Sequence, residues 1–188
     1  RSLKQRNAAL RQRLGLRDVA IWDMELIHAG LALNEARTRF INATCASLEA
    51  LLTEVVGLPV TMDFRRGWSA EHEFEEALRL GRPSDIERGT TQRGPHRADI
   101  RFVARGVDAR QVLSRGEGKR LVLSFLLGMA EQVGEQRGTR PVLLLDDLAS
   151  ELDEESRALF LEKVFATGFQ TFITTVDTGL ISKAHLDR

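Results

Sequence analysis

The 188-residue sequence predicts an α/β fold with a mostly parallel sheet, packed helices and an additional α-helical arm. Strand-like and helix-like segments alternate over residues 100–175, which is the order of parallel strands connected by helices. A helical apolar stripe without proline runs over residues 18–56, beyond the roughly 25 residues of an ordinary packed helix. We therefore expect a helical arm over residues 1–92 and an α/β part over residues 93–188.

The arm is predicted to open with two helices. Residues 2–14 carry leucines at helical spacing, and a second helix is expected from Asp18, because aspartate is a good N-cap residue. No proline interrupts that second helix before Pro59. Gly30 is the place where it could kink or split.

The remainder of the arm is predicted from shorter patterns. Alternating apolar residues from Val60 to Phe64 favour a strand that ends at Gly67, and residues 70–80 favour a helix. Residues 81–95 contain three glycines and two prolines, so we expect a loop there and the domain boundary near its end.

The second half of the chain alternates between strand-like and helix-like segments. We expect strands over residues 100–104, 142–145 and 171–175, and helices over residues 121–132 and 154–166. The strand over residues 142–145 is purely aliphatic, which is typical of a parallel strand buried on both faces.

Composition excludes several classes of protein. Hydrophobic residues make up 43% and charged residues 29% of the chain, and the formal net charge is zero, a globular balance that by itself indicates no class of partner. Cys45 is the only cysteine, which excludes an internal disulfide and favours a reducing compartment. No apolar run is long enough to span a bilayer and no secretory signal is visible, so we predict a cytoplasmic protein.

The segment Pro-Val-Leu-Leu-Leu-Asp-Asp over residues 141–147 is the first candidate site. The carboxyl end of a parallel strand opens onto the ligand crevice of an α/β sheet. In the nucleoside-triphosphatase pattern, Asp146 would contact Mg²⁺, usually through water, and Asp147 would orient or deprotonate the attacking water. The alternative is a core strand followed by an aspartate-rich turn.

The segment Leu-Ser-Arg-Gly-Glu-Gly-Lys-Arg over residues 113–120 precedes a predicted helix. A helix N-terminus with free N–H groups is an anion site. The octet resembles the signature loop of ATP-binding-cassette ATPases, and the resemblance implies that Ser114, Arg115, Gly116 and Glu117 contact the γ-phosphate of ATP bound to a partner subunit. The alternative is a plain helix cap.

Leu-Ala-Ser-Glu-Leu-Asp over residues 148–153 resembles the D-loop of the same superfamily, which assigns Ser150 and Asp153 to the nucleotide interface. Asp153 would equally serve as the N-cap of the following helix.

Thr174 and Thr175 end the last strand, where transporters of this superfamily commonly carry a histidine. Two β-forming residues explain them equally well.

The segment Arg-Gly-Pro-His-Arg-Ala-Asp-Ile over residues 93–100 completes a more specific resemblance. In order with the signature-like and aspartate-rich segments, it resembles the RecF family of bacterial recombination ATPases. This resemblance implies that the fold is the C-terminal part of an ATP-binding-cassette ATPase head with a helical arm. His96 and Arg97 become candidates for phosphate or DNA contacts, and the alternative for them is a structural turn.

The RecF resemblance implies partners and cofactors. The intact protein would use ATP and Mg²⁺, form an ATP-dependent homodimer on double-stranded or gapped DNA, and help RecR and RecO to load RecA. Six basic residues and no acidic one precede Asp18, and four of them are candidates for DNA phosphate contacts, namely Lys4, Arg6, Arg11 and Arg13. The alternative is a solvated helix face.

The 188 residues contain no Gly-x-x-x-x-Gly-Lys-Ser/Thr phosphate loop. In the RecF plan that loop precedes the arm, so we expect these residues to be a fragment that does not bind or hydrolyse ATP alone. Two rival interpretations stay open: another ATPase of the superfamily, such as a transporter motor or a chromosome-maintenance protein, and a non-catalytic protein-interaction module.

Overall fold

The computed structural model describes residues 1–12, 15–148 and 152–175, without the side chains of residues 16 and 17. Its helices are α1 (Ser2–Arg11), α2 (Leu16–Val56), α3 (Phe74–Arg88), α4 (Arg115–Arg137) and α5 (Glu154–Ala166). Its strands are β1 (Val60–Arg65), β2 (Asp99–Ala104), β3 (Val107–Asp108), β4 (Val142–Leu145) and β5 (Gln170–Ile173). No helix within these ranges is long and apolar enough to cross a membrane.

The strands form two sheets. β1, β2 and β3 lie side by side in that order, with β2 antiparallel to β3. β4 and β5 are parallel, with Val142 opposite Gln170 and Leu145 opposite Ile173. The mixed α/β class with a parallel strand pair and packed helices is therefore confirmed.

The chain divides into two compact units. The first unit comprises Arg1–Ala43 and Asp63–Arg101, and the second comprises Thr44–Met62 and Phe102–Arg188. α2, β1 and β2 each contribute residues to both units. The predicted division into an arm and a head at residues 92 and 93 stays a prediction.

The first unit is organised around a buried guanidinium. Arg6 is fully buried, and its Nε donates to Asp23 Oδ1 at 2.7 Å. Its Nη1 donates to Asp85 Oδ2 and to Thr91 Oγ1, both at 2.7 Å. Arg82 Nη2 adds a second donor to Asp23 at 2.6 Å. One arginine of α1 thus bonds to α2, to α3 and to the segment that follows α3.

The expected loop over residues 81–95 is wrong for its first half, because α3 continues to Arg88 through Pro83. Proline in a helix removes one backbone hydrogen bond. The loss is offset by tertiary contacts at Asp85, whose carboxylate accepts from Arg6 and, at 2.8 Å, from the N–H of Gln92. The helix ends at Gly89, where φ is +66°.

Gly30 does not split α2, which is continuous from Leu16 to Val56. Gly30 is buried, and a Cβ added there would lie 2.5 Å from Cε1 of Phe74. A glycine at this position lets the first residue of α3 approach the α2 backbone.

Asp18 lies in the first turn of α2 and is not its N-cap, since the helix starts two residues earlier.

The described residues of the second unit form two apolar clusters. One joins α4, α5 and the inner face of the β4–β5 sheet, through Leu127, Phe160, Leu161 and Val164 together with Leu143, Leu145 and Ile173. The other joins the end of α2, β1, β2 and α4, through Leu52, Val60 and Leu121 with Phe102 and Phe125.

The outer face of the β4–β5 sheet differs from the prediction. Val142, Leu144 and Phe172 are 52%, 75% and 54% exposed, whereas β4 was expected to be buried on both faces. Within the part of the chain that the structure describes, apolar packing covers only the opposite face. An apolar sheet face of this kind is typical of a surface that packs against further protein.

Replacing Arg6 by alanine tests the buried network. The change leaves the buried carboxylate of Asp85 without its cation, and we expect a loss of about 3 kcal/mol or more in the free energy of unfolding. The control is Lys4→Ala on the exposed side of the same helix, which should change it by less than about 0.5 kcal/mol. Urea unfolding of the chain measures both, and equal midpoints for the two variants would contradict the network.

Candidate functional site

The carboxyl ends of β4 and β5 bring two adjacent aspartates to one threonine. Leu145 pairs with Ile173, so the next residues, Asp146 and Thr174, leave the sheet side by side. Thr174 donates its hydroxyl to Asp146 Oδ1 at 2.5 Å and accepts the N–H of Asp147 at 3.0 Å. The Thr174 N–H donates to the Leu145 carbonyl at 2.9 Å. One side chain thus orients the turn that carries both carboxylates.

That turn holds both carboxylates outward. Asp146 and Asp147 are exposed, and Asp147 has φ of +47°, a left-handed conformation that few residues other than glycine adopt. Aspartate is among the residues that tolerate it. The predicted placement at the end of a parallel strand is observed, whereas Thr174 was given no part in the site. Its signal in the sequence was weak, since a threonine at a strand end has many ordinary explanations.

The signature-like segment forms the N-terminus of α4. Ser114 is the N-cap, and its Oγ accepts the N–H of Glu117 at 3.3 Å. In return, the Glu117 carboxylate accepts the N–H of Ser114 at 2.7 Å, which completes a capping box. The helix begins at Arg115, six residues before the predicted start. Ser114, Arg115, Gly116 and Glu117 therefore lie together in the first turn, where helix N–H groups lack intrahelical acceptors.

The electrostatics of this turn favour an ionised Glu117. Hydrogen bonds from Ser114 lower the pKa of Glu117, and the positive charges of Arg120 and Arg105 lower it further. The carboxylate is held at the N-terminus of α4, where the helix dipole also favours negative charge.

Asp153 lies against the same turn. A Cβ added at Gly116 would be 3.5 Å from Asp153 Oδ2, so the start of α5 meets the start of α4. Asp153 is the N-cap of α5, since its Oδ1 accepts the N–H and its Oδ2 the hydroxyl of Ser156, both at 2.8 Å. These bonds lower the pKa of Asp153. Ser150 lies outside the described residues, and its interface role stays a prediction.

The four basic candidates near the N-terminus differ in their exposure to solvent. Lys4 and Arg11 are exposed, and Arg13 lies outside the described residues. Arg6 is fully buried and bonded to two carboxylates and a hydroxyl, so its guanidinium is not available to a DNA phosphate. Arg6 is therefore removed from the DNA-contact candidates, because it is part of the interior.

His96 and Arg97 lie in a short 3₁₀ turn, Pro95–Arg97, and both are exposed. His96 Nε2 donates to the carbonyl of Thr91 at 3.0 Å, as expected for a structural turn histidine. The turn is anchored on the Gly67 carbonyl, which accepts the N–H of Gly94 at 3.0 Å. A role of either residue in DNA contact stays a prediction.

Among the described residues, no group of three or more His, Cys, Asp or Glu is placed to hold a metal ion. Mg²⁺ keeps several waters and binds one or two protein carboxylates together with substrate phosphates, and exposed carboxylates such as those of Asp146 and Asp147 are the kind of ligand it uses.

Curated proteins match nearly the whole chain. The DNA replication and repair protein RecF of Stenotrophomonas maltophilia (strain R551-3) is 40% identical over 183 residues, covering 95% of this chain and 50% of the relative. The protein of the same name from Shewanella sediminis (strain HAW-EB3) is 32% identical over 182 residues, covering 96% of this chain and 51% of the relative. The chain spans about half the length of these relatives. No family model matches it.

Solved structures agree with the sequence relatives. A structure of the recombination mediator protein RecF-ATPrS in the RecFOR pathway superposes with a TM-score of 0.77 at 25% identity, covering 94% of this chain and 51% of that one. The corresponding RecF-ATP structure gives 0.74 at 26% identity over the same shares. Over the matched half, this chain is similar to RecF proteins in both sequence and fold. The RecF resemblance predicted from the motifs is confirmed, and RecF likeness covers the long helices as well as the motif-bearing segments.

Acidification tests the capping box that the RecF-like chain has at Ser114. Because the pKa of Glu117 is lowered in the folded state, its stabilising contribution is present above the unfolded pKa of about 4.3 and is lost as the pH falls through the lowered value. Glu117→Gln keeps a capping side chain without the titration, so its stability should fall less steeply below about pH 5.

The control for this titration is Glu162→Gln, at an exposed position in the middle of α5. Urea unfolding midpoints across the acid range measure the slope for each protein. If Glu117→Gln has the same slope as the wild-type chain and the control, the ionised capping box does not contribute.

Proposed function

We propose that this chain is the arm and the C-terminal half of the head of a RecF-like DNA-binding ATPase that acts in recombinational repair. The observation that carries the proposal is the pair of aspartates at the carboxyl end of β4, where the threonine that follows β5 bonds to the Asp146 carboxylate and to the Asp147 N–H. This is where nucleotide-hydrolysing α/β proteins place their metal-holding and water-orienting carboxylates. The RecF family match supports the same interpretation.

ATP is proposed to bind between two subunits. Asp146 and Asp147 would serve the site of their own subunit, together with a phosphate loop that is not among these 188 residues. Ser114, Arg115, Gly116 and Glu117 would meet the γ-phosphate of the nucleotide on the partner subunit, with Ser150 and Asp153 at the same interface. The first-turn N–H groups of α4 and the positive charge of Arg115 support an anion site there.

Each carboxylate of the β4 turn has a separate proposed task. Asp146 would hold Mg²⁺, mainly through water, and the ion would neutralise charge on the phosphates. Asp147 would orient the attacking water and accept its proton. Thr174 bonds to the side chain of Asp146 and to the backbone of Asp147, so it sets the spacing of the two groups. We expect hydrolysis to be slow and stimulated by DNA.

The proposed cellular role is that of the RecF relatives. The intact protein would dimerise with ATP on double-stranded or gapped DNA and help RecR and RecO to load RecA. The exposed residues Lys4, Arg11, His96 and Arg97, together with Arg13, are the proposed DNA contacts. Such contacts to phosphates make binding sensitive to salt and indifferent to base sequence.

Ser114→Asp in the intact protein tests the ATP sandwich. Aspartate keeps an N-cap acceptor for α4 and sets a negative charge against the γ-phosphate, so ATP-dependent dimerisation should be lost while each monomer still binds nucleotide. Sedimentation with and without ATP measures the dimer. Ser114→Asn, which caps the helix without the charge, is the matched control and should retain more dimer than the aspartate variant. An unchanged dimer in Ser114→Asp would rule out this assignment.

Thr174→Val tests the positioning of the carboxylates. Valine removes the hydroxyl that bonds to Asp146 and to the Asp147 N–H, so the rate of ATP hydrolysis by the intact protein should fall by tenfold or more, on the order of 1.4 kcal/mol in the barrier. Nucleotide binding should be retained, and Thr174→Ser should restore most of the rate. If serine does not rescue hydrolysis, the threonine acts by packing and not by its hydroxyl.

A further inference from the structure

The first unit contains an open groove of about 820 Å³. Asn34 and Thr38 of α2 line it on one side, Arg65, Arg66 and Trp68 line it at and after β1, and Arg97 lines it from the 3₁₀ turn. We call this feature the basic groove. Its frame is fixed by glycines, because a Cβ at Gly67 would lie 2.2 Å from the Gly94 carbonyl oxygen.

The charge of the basic groove favours an anionic ligand. Among the described residues that line it, three are arginines and Asp63 is the one acidic residue. Arg65 pairs with Asp63 at 3.2 Å, but both side chains are more than half exposed, so this pair is weak and leaves the guanidinium open to competition. Arg97 is exposed.

Arg66 is held in place before any ligand binds. Its Nη2 donates to the Ser69 carbonyl at 2.8 Å and to the His72 carbonyl at 3.0 Å, and its guanidinium lies 4.8 Å from the Trp68 ring centroid. An arginine whose rotamer is already fixed loses less entropy when it binds a phosphate. Arg66 therefore provides a positive charge whose position is fixed by its own contacts.

The same contacts argue against base recognition. The Trp68 ring is engaged by Arg66 and by Phe74, whose ring centroid is 4.6 Å away. Sequence-tolerant binding of bases needs an aromatic face on which a base can stack. Here the tryptophan belongs to the wall of the groove, which suits a sugar–phosphate backbone better than an unstacked base.

Three lining residues carry buried polar atoms without a hydrogen-bond partner. These are Asn34 Oδ1, Arg66 Nε and Trp68 Nε1, out of nine such side-chain atoms found within the described ranges. Native structures leave few buried polar groups unpaired, and each one calls for an explanation such as water or a ligand. These residues line the groove, but the three atoms are themselves buried, so they mark polar groups in its wall that water would pair and are not in themselves ligand contacts.

We propose that the basic groove binds the sugar–phosphate backbone of DNA, with Arg65, Arg66 and Arg97 as the phosphate contacts and with no readout of base sequence. This inference rests on the proposed DNA-binding function and locates it in the first unit. Arg65 and Arg66 carry no other assigned role, so the groove extends the contact set beyond the residues predicted from the sequence.

The test compares two charge-matched double variants of the intact protein, with a fluorescent DNA duplex and a salt titration followed by anisotropy. Arg65→Ala/Arg97→Ala should weaken binding and lower the slope of log K against log salt by about 2, at about 1 per lost phosphate contact. Arg79→Ala/Arg88→Ala, which removes two exposed arginines of α3 outside the groove, should keep the wild-type slope. Arg65→Lys/Arg97→Lys should also keep it. Duplexes of different sequence should show the same loss.

Each outcome decides a different point. If both alanine variants lower the slope equally, binding follows overall charge and the groove is not the site. If neither alanine variant lowers the slope while the wild-type protein binds DNA, the groove proposal is overturned and the proposed DNA binding stands. If the groove variant binds DNA normally but loses affinity for a polyglutamate peptide, the occupant is an acidic protein. If the wild-type protein does not bind the duplex, the proposed function itself fails.

Discussion

The buried guanidinium of Arg6 is the constraint on which the first unit depends. It links α1 to Asp23 of α2 and to Asp85 and Thr91 on either side of the end of α3. The Thr91 carbonyl in turn accepts a hydrogen bond from His96, in the turn that brings Arg97 to the basic groove. A charge in the interior is costly unless opposite charges accompany it, so these segments must assemble together for the arginine to be accommodated, although its Nη2 has no hydrogen-bond partner in the described residues. The position of Arg97 in the basic groove is thus linked, through Thr91 and His96, to the buried ion pairs of Arg6.

The second unit depends on a different interaction, the parallel pairing of β4 with β5. Parallel strands end at the same edge of a sheet, and this places the turn after β4 beside Thr174. The N-termini of α4 and α5 meet separately, where Gly116 approaches Asp153. Ser114 and Asp153 are both helix caps, so the residues that resemble nucleotide-binding motifs also stabilise the helices that present them. Structural and functional interpretations of these residues are compatible.

Local signals were enough to predict much of this fold from the sequence. The bounds of α5 and β4 follow from a capping aspartate and a short aliphatic run, and the RecF resemblance follows from motifs that are contiguous in sequence. The features that escaped prediction depend on distant residues. Arg6 and Asp85 are 79 positions apart, and Asp146 and Thr174 are 28 apart. An exposed arginine and a buried one look alike in a basic helix, and a helix through Pro83 is favoured only once its tertiary contacts exist.

The register of β4 against β5 makes the carboxylate turn sensitive to chain length. Successive residues of a strand face opposite sides, so a slip of one residue would turn Ile173 out of the core, bring Phe172 in and move the Thr174 hydroxyl away from Asp146. Single-residue insertions or deletions in the connection from α5 to β5 would therefore alter the geometry of the carboxylate turn without changing Asp146, Asp147 or Thr174. Among related sequences, the length of this connection should vary far less than its composition.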